Sequence, residues 1–329
     1  MKENDRTVRL EGDRSWIELY APGIEPTLKP ACGTALDLFR TAVRERPHHA
    51  AIWHAGRELT YTALDLASDA LAIRLIEAGV TRFDRVALAF QNTPEFPTIV
   101  LAVWKIGAIP VPVNPLYSTR ELARIFADAE PSAVLGEAAC SETLARAVAE
   151  AGLASCAVLS ASPDSATEIR TAIGGSVTAP ETPQRFTQSD PAPADVGLLL
   201  YTSGTTGDPK GAMLRHSGLA FNGEMFAHWC ALDGNSRVLA IAPFFHITGF
   251  VCHMLAALSA RATLITYGRF EPGVVLDVIR GTRPTSTIGA ITAFNALLNA
   301  PEALPDDFSS FERVYSGGAP IPKALVEQF

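Results

Sequence analysis

The chain is poor in the features that would settle its class quickly, and each shortage excludes something. No apolar run approaches the roughly 20 residues that a membrane helix needs; "TIVLAVW" and "GFVCHMLAALSA" are among the longest. The first residues, "MKENDRTVRLEGDRSW", are dense in charge and do not read as a secretory signal. No basic run occurs and the formal net charge is -8, which argues against nucleic acid as a partner. The 5 cysteines (Cys32, Cys140, Cys156, Cys230 and Cys252) are scattered and form no CxxC pair. That usage suits reduced thiols in a cytoplasmic protein better than zinc ligands. GxSxG and HExxH are absent, so neither a serine-hydrolase elbow nor a zinc-protease helix is expected.

What is present is a globular composition, with 48% hydrophobic and 19% charged residues over 329 positions. Such a length favours two packed lobes over one. From Thr34 onward, helical and strand periods alternate. "TALDLFRTAVRER" carries a helical stripe and stops before Pro47, and "AAIWHAGRELTY" reads as a hairpin turning at Ala55-Gly56. A helix over "ALDLASDALAIRLIEAG" ends at Gly79, a residue suited to the C-terminal cap. The strand "DRVALAF", the helix "PEFPTIVLAVWKIG" and the strand "AIPVPVN" follow; two prolines in the last suggest a sheet edge. Ser118 and Glu121 have capping-box spacing at the head of the next helix. "SAVLGE" and "CAVLS" add strands, with the helical "SETLARAVAEAG" between them. Repeated βα units of this length predict an α/β fold, with parallel sheets covered by helices on both faces.

Between about 161 and 195 the pattern fails in a stretch rich in Pro, Ser, Thr and Ala, read as a connection between lobes. The expected division is therefore 1–190, a first α/β subdomain plus this connection, and 191–329, a second α/β subdomain. Alternation resumes with the strand "VGLLLY", the helix around "HSGLAFNGEMFAHWC" and the strand "RVLAIAP". Further on come helices in "GFVCHMLAALSA", "PGVVLDVIRG" and "TAFNALLNAP", with strands in "ATLITYG", "TSTIGA" and "FERVYS". The sequence stops inside a last predicted helix, "IPKALVEQF", from which an incomplete chain is expected.

One segment demands a reason. "YTSGTTGDPKG", residues 201–211, crowds glycines and hydroxyls that resist both helix and strand. It could be a flexible linker, but a linker has no need of a buried strand directly before it. Freed backbone amides, hydroxyls and one lysine could instead surround phosphate oxygens. Neither GxxxxGK[ST] nor GxGxxG is present, so the two most familiar phosphate-loop classes do not apply.

The stretch "YTSGTTGDPKGAMLRH" closely resembles the phosphate-binding signature of adenylate-forming enzymes, the superfamily of acyl-CoA synthetases, adenylation domains and luciferase. "LTYTALDLASDALAIRL", "DRVALAFQNTPEFPTIVLAVWKIGAIPVPVNPLYSTREL", "APFFHITGF" and "FNALLNAPEALPDDFSSFERVYSGGAP" resemble other parts of the same family, in the same order. The resemblance begins near Trp16, covers most of the chain and is nearest the fatty-acid–CoA ligase branch. It implies the N-terminal domain of such an enzyme, two stacked, mostly parallel βα subdomains, without its C-terminal domain.

The implied chemistry is attack of a carboxylate on the α-phosphorus of ATP, giving an acyl adenylate and pyrophosphate. The thiol of coenzyme A then displaces AMP. Thr202, Ser203, Gly204, Thr205, Thr206, Gly207 and Lys210 fall where the family holds the β- and γ-phosphates. Gly317, Gly318, Ala319 and Pro320 match the turn against adenine, and His246 matches an imidazole near the carboxylate. Without the surrounding motif His246 would be read as a core histidine, and His216 and His253 keep that structural reading. Mg²⁺ is the implied metal, but no ligand for it is assigned.

The family's Tyr-Gly-x-Thr-Glu segment, ribose-binding aspartate and catalytic lysine would all lie beyond Phe329. Little synthetase activity is thus expected from the 329 residues alone. A medium- or long-chain fatty acid is the expected substrate, with an aryl-acid ligase or an acyl-AMP ligase as alternatives. No acidic residue is placed to hold a substrate amine, so amino-acid activation ranks low. A non-catalytic remnant that keeps the nucleotide site is the alternative of another class. Weak membrane association and a homodimer stay open, the latter on base rates alone.

Overall fold

The structure is a computed structural model that describes residues 15–20, 24, 27–161, 185–186, 190–202, 209–317, 321 and 323. Helix α1 (Ala35–Glu45) begins with a capping box: the Thr34 hydroxyl accepts the Asp37 N–H, and the Asp37 carboxylate accepts the Thr34 N–H. Strands β1 (Ala50–His54) and β2 (Arg57–Thr60) form the expected hairpin. Both turn residues, Ala55 and Gly56, take the left-handed conformation that a tight two-residue connection requires. Helix α2 (Tyr61–Glu77) ends as its sequence implies. Gly79 has φ 93°, and the Gly79 and Val80 amides donate to Ile76 and Leu75, closing the last turn.

Strand β3 (Arg85–Ala89), helix α3 (Glu95–Ile106), β4 (Ile109–Pro112), α4 (Thr119–Ala129), β5 (Ala133–Glu137), α5 (Ser141–Glu150) and β6 (Ala157–Ala161) follow as βα units. Their strands make one parallel sheet in the order β4-β3-β5-β6. β4 lies at its edge for a local reason. The Ile109 and Val113 amides donate toward β3, to Asp84 and Leu88, so Pro110 and Pro112 sit where an N–H would point away from it. The expected capping box of Ser118 and Glu121 heads α4.

β7 (Val196–Thr202) and β8 (Lys210–Arg215) pair antiparallel in a small sheet of their own. Helix α6 (His216–Trp229), β9 (Arg237–Leu239), a π-helical turn (Gly249–Leu255) continued by α7 (Ala256–Ala260), and β10 (Thr263–Thr266) follow. The described elements close with α8 (Pro272–Thr282), β11 (Ser286–Gly289), α9 (Ile291–Leu298) and β12 (Arg313–Ser316). The second large sheet runs β12-β11-β9-β10-β1-β2, parallel except for β2. The β1–β2 hairpin therefore stands on one side of residue 190 in sequence and shares a sheet with strands from the other side. The predicted helix "IPKALVEQF" lies almost wholly outside the described residues, as does most of the 161–195 connection.

Alternation along the strands explains the layering. Val86 and Leu88 of β3 enter the main core, whereas Ala87 and Ala89 enter a second cluster with Leu122, Phe126 and Leu144 of α4 and α5. In the other sheet Val238 and Leu264 enter the same main core, and Leu239 and Ile265 face α8 and α9. The two sheets thus share one helical layer between them, and each carries its own outer helices.

At the middle of that layer is α3, every residue of which is buried. One of them is a lysine. Lys105 is 5% exposed and donates to the carboxylates of Asp69 (2.6 Å) and Asp65 (2.7 Å) and to the Ser68 hydroxyl (2.8 Å), all on α2. Arg185 reaches the same two carboxylates from the surface. A buried charge is tolerated only when paired and hydrogen-bonded. Lys105→Met should therefore lower the unfolding free energy in urea by about 3–5 kcal/mol, and adding Asp69→Leu should recover part of the loss.

Candidate functional site

The two ends of the motif segment 201–211 belong to paired antiparallel strands, β7 and β8. Thr202 closes β7, Lys210 opens β8, and the two are paired across the ladder with both side chains exposed. Ser203, Gly204, Thr205, Thr206 and Gly207 lie outside the described residues. The hairpin's root is held on both faces. Tyr201 donates its hydroxyl to Asp128 of α4, and burial followed by that bond holds the phenol well above its ordinary pKa. Its ring covers Gly211, where a Cβ would lie 3.0 Å from Tyr201 Cζ. Trp104 of α3 donates its indole N–H to the Gly197 carbonyl of β7 at 2.6 Å.

His246 lies beyond the carboxyl end of β9. The sequence around it is apolar, yet its own side chain is exposed; Phe244 and Phe250, which flank it, are the buried residues. Phe96 of α3 packs against both rings, with centroids at 5.3 Å and 6.3 Å, and Trp104 stands 6.0 Å from Phe250. Between the two phenylalanines the backbone turns tightly: the His246 N–H donates to Pro243 and the Phe250 N–H donates to His246. A side chain at Gly249 would run into the Pro243 carbonyl, so the turn requires glycine.

Gly317 follows β12 directly and is exposed; Gly318, Ala319 and Pro320 lie outside the described residues. Because β9, β11 and β12 are parallel neighbours, Gly317 and the His246 segment emerge at the same sheet edge. That is the edge at which open α/β sheets bind ligands. The β7–β8 hairpin belongs to a different sheet and is tied to this edge through α3.

His216 and His253 are structural, as read from the sequence. Each is deeply buried, and burial pushes their imidazoles down to about 4 and about 3. His216 is edge-on to Trp104 and seats Gly197. His253 accepts the Ala242 N–H on Nε2 at 3.1 Å, which ties the π-helical turn to the exit of β9. Sequence reasoning missed two participants here. One is β8, and the other is Asn92, whose side-chain amide bonds Ala240, Ala242 and Phe244. The described residues contain no cluster of three His, Cys, Asp or Glu that could hold a metal ion, and no helix long and apolar enough to cross a membrane. All 5 cysteines are free thiols.

Comparison with known proteins supplies the deciding observation: the family model for the AMP-binding enzyme matches residues 39–329. The chain belongs to the AMP-binding enzyme family. A feruloyl-CoA synthase of Amycolatopsis sp is 32% identical over 289 residues, covering 87% of this chain and 54% of that protein. A long-chain-fatty-acid–CoA ligase of Bacillus subtilis (strain 168) is 29% identical over 349 residues, covering 97% and 61%. Among solved structures, ATP-bound MatB from Rhodopseudomonas palustris superposes with TM-score 0.76 at 28% identity, covering 90% of this chain and 57% of that one. The inhibitor-bound N-terminal domain of FACL13 from Mycobacterium tuberculosis shares the fold, with TM-score 0.77 at 24% identity over 90% and 72% of the two chains. This AMP-binding chain thus spans 54% and 61% of the length of these two curated relatives.

The buried histidines make stability depend on pH in a set direction. The unfolded chain takes a proton on His216 near 6.5, and the folded chain only near 4. Between those values the unfolded state binds more protons, so stability is full above 6.5 and is lost as the pH falls. Urea unfolding followed from pH 7.5 to 4.5 should show this loss, and His216→Phe should reduce it by on the order of 2–3 kcal/mol.

Proposed function

We propose that the chain forms the nucleotide- and acid-binding part of an AMP-forming acid–CoA ligase, with a medium- or long-chain fatty acid as the acid. The observation that carries this reading is the placement of Thr202 and Lys210 as an exposed pair at the mouth of a rigidly rooted hairpin, within a chain of the AMP-binding family. Lys210 supplies a cation and Thr202 a hydroxyl toward the phosphates of ATP, continued by Ser203, Gly204, Thr205, Thr206 and Gly207. Gly317, with Gly318, Ala319 and Pro320, offers adenine a turn free of side chains at its glycines. His246 stands by the carboxylate of the acid, and coenzyme A takes the activated acyl group.

Mg²⁺ supplies charge neutralisation on the phosphates in chemistry of this class. The described residues offer no carboxylate cluster for it, and no step is assigned to it here. The proposed domain division remains 1–190 and 191–329, with the β1–β2 hairpin crossing it. An aryl acid is the second reading, and the feruloyl-CoA synthase match at 32% identity favours it.

Binding is tested before turnover. In titrations of the 329-residue chain with ATP, Lys210→Ala should weaken binding about tenfold, the equivalent of one charge-assisted hydrogen bond. Acid-dependent ATP–pyrophosphate exchange with Mg²⁺ and a panel of acids then separates the readings. Exchange driven by fatty acids supports the first, and exchange driven only by hydroxycinnamate-type acids replaces it with the second. A folded chain that fails to bind ATP would overturn both.

A further inference from the structure

Asn92 leaves the carboxyl end of β3, in the first parallel sheet, and is 4% exposed. Its side chain makes three hydrogen bonds, all to the segment that follows β9 in the other sheet. The two Nδ2 hydrogens go to the carbonyls of Ala240 (2.7 Å) and Ala242 (3.0 Å), and Oδ1 accepts the Phe244 N–H at 2.8 Å. Its backbone carbonyl accepts the Gly268 N–H at 3.0 Å. These groups lie just beyond the end of β9, where the chain leaves the sheet and turns toward His246. The primary amide ties them to the first sheet with two donors and one acceptor in one plane.

The nearest replacements lose part of this. Aspartate would set a carboxylate against two carbonyl oxygens, serine has a single donor for them, and glutamine is one methylene longer in a buried site.

The segment that Asn92 holds leads to His246. Ala240 N–H is taken by Ile265, Ala242 N–H by His253, and the Pro243 carbonyl by His246 N–H. With Asn92 added, the carbonyls of Ala240 and Ala242 and the amide of Phe244 also have partners, two residues short of His246. The Phe96 contact with Phe244 comes from the same turn of chain, four residues after Asn92. We propose that Asn92 is a positioning residue: it fixes the His246 segment relative to the first sheet and so sets where the acid's carboxylate is received. This rests on the reading of His246 given above.

Two measurements on the 329-residue chain decide the positioning without reference to turnover. In amide hydrogen–deuterium exchange, Asn92→Ala should speed exchange of peptides covering 240–250 about tenfold, while α5 and β6 stay at the wild-type rate. The His246 imidazole resonance, assigned by its loss in His246→Gln, should shift in Asn92→Ala and Asn92→Asp. A uniform rise in exchange across the chain, or an unmoved His246 resonance, would reduce Asn92 to a fold-stabilising residue and overturn the proposal. Should Asn92→Ala fail to fold, Asn92→Ser, which retains one donor, takes its place in both measurements.

Kinetics supply the functional arm. In ATP–pyrophosphate exchange the KM for the acid should rise about tenfold in Asn92→Ser, with the KM for ATP unchanged. Equal changes in both overturn the proposal. Where exchange is too slow for KM values, direct titration replaces them: Asn92→Ser should weaken binding of the acid about tenfold and leave ATP binding unchanged, and equal changes overturn the proposal. Acid binding that His246→Gln leaves unchanged removes the role assigned to His246, while the deuterium exchange and the imidazole resonance still decide whether Asn92 positions the segment.

Discussion

A helix buried on every side is the constraint around which this molecule is built. α3 lies between two sheets, so each of its faces must meet an apolar surface, and its one lysine must find anions inside the core. α2 supplies them, which fixes α2 against α3. Phe96 and Trp104, on the other side of the helix, reach the two segments that carry the candidate site. A shift of α3 along its axis would displace the β7–β8 hairpin and the His246 turn together. Precision at a site assembled from two sheets comes here from a single rigid element that touches both.

Much of the local structure could be read from the residues. Thr34 with Asp37, Ser118 with Glu121, and Gly79 at a helix end are short-range devices whose physics is complete within a few positions. Pro110 and Pro112 marked an edge strand because a missing N–H has no other place in a sheet. β8 escaped detection because its residues are largely exposed and begin with lysine and glycine, so no buried alternation betrays a strand. The π-helical turn escaped for a different reason: over seven residues its period is hard to tell from that of an α-helix.

The candidate site was legible as a motif and opaque as a geometry. The crowded hydroxyls and glycines of 201–211 suggested a phosphate cradle, but nothing local showed that paired strands flank it. His253 could be read as a core histidine, whereas Asn92 drew no notice, since its partners lie 148 to 152 positions away in sequence. The bonds by which Asn92 holds the His246 segment run to main-chain groups, so they place no demand on the side chains of that segment.

The pairing of β1 with β10 also dictates an order of events. Ile52 finds its partner Leu264 only after more than two hundred further residues have been added. On the ribosome the β1–β2 hairpin therefore emerges early with one edge unsatisfied, exposing strand hydrogen bonds and the apolar face of Ile52 while the rest of its sheet is still being made. Non-local strand pairing of this kind is slow and leaves a nascent chain open to mispairing. The charged turn-side residues Arg57 and Glu58 lie on β2 and discourage docking at the hairpin's outer edge, while the β1 edge waits for β10.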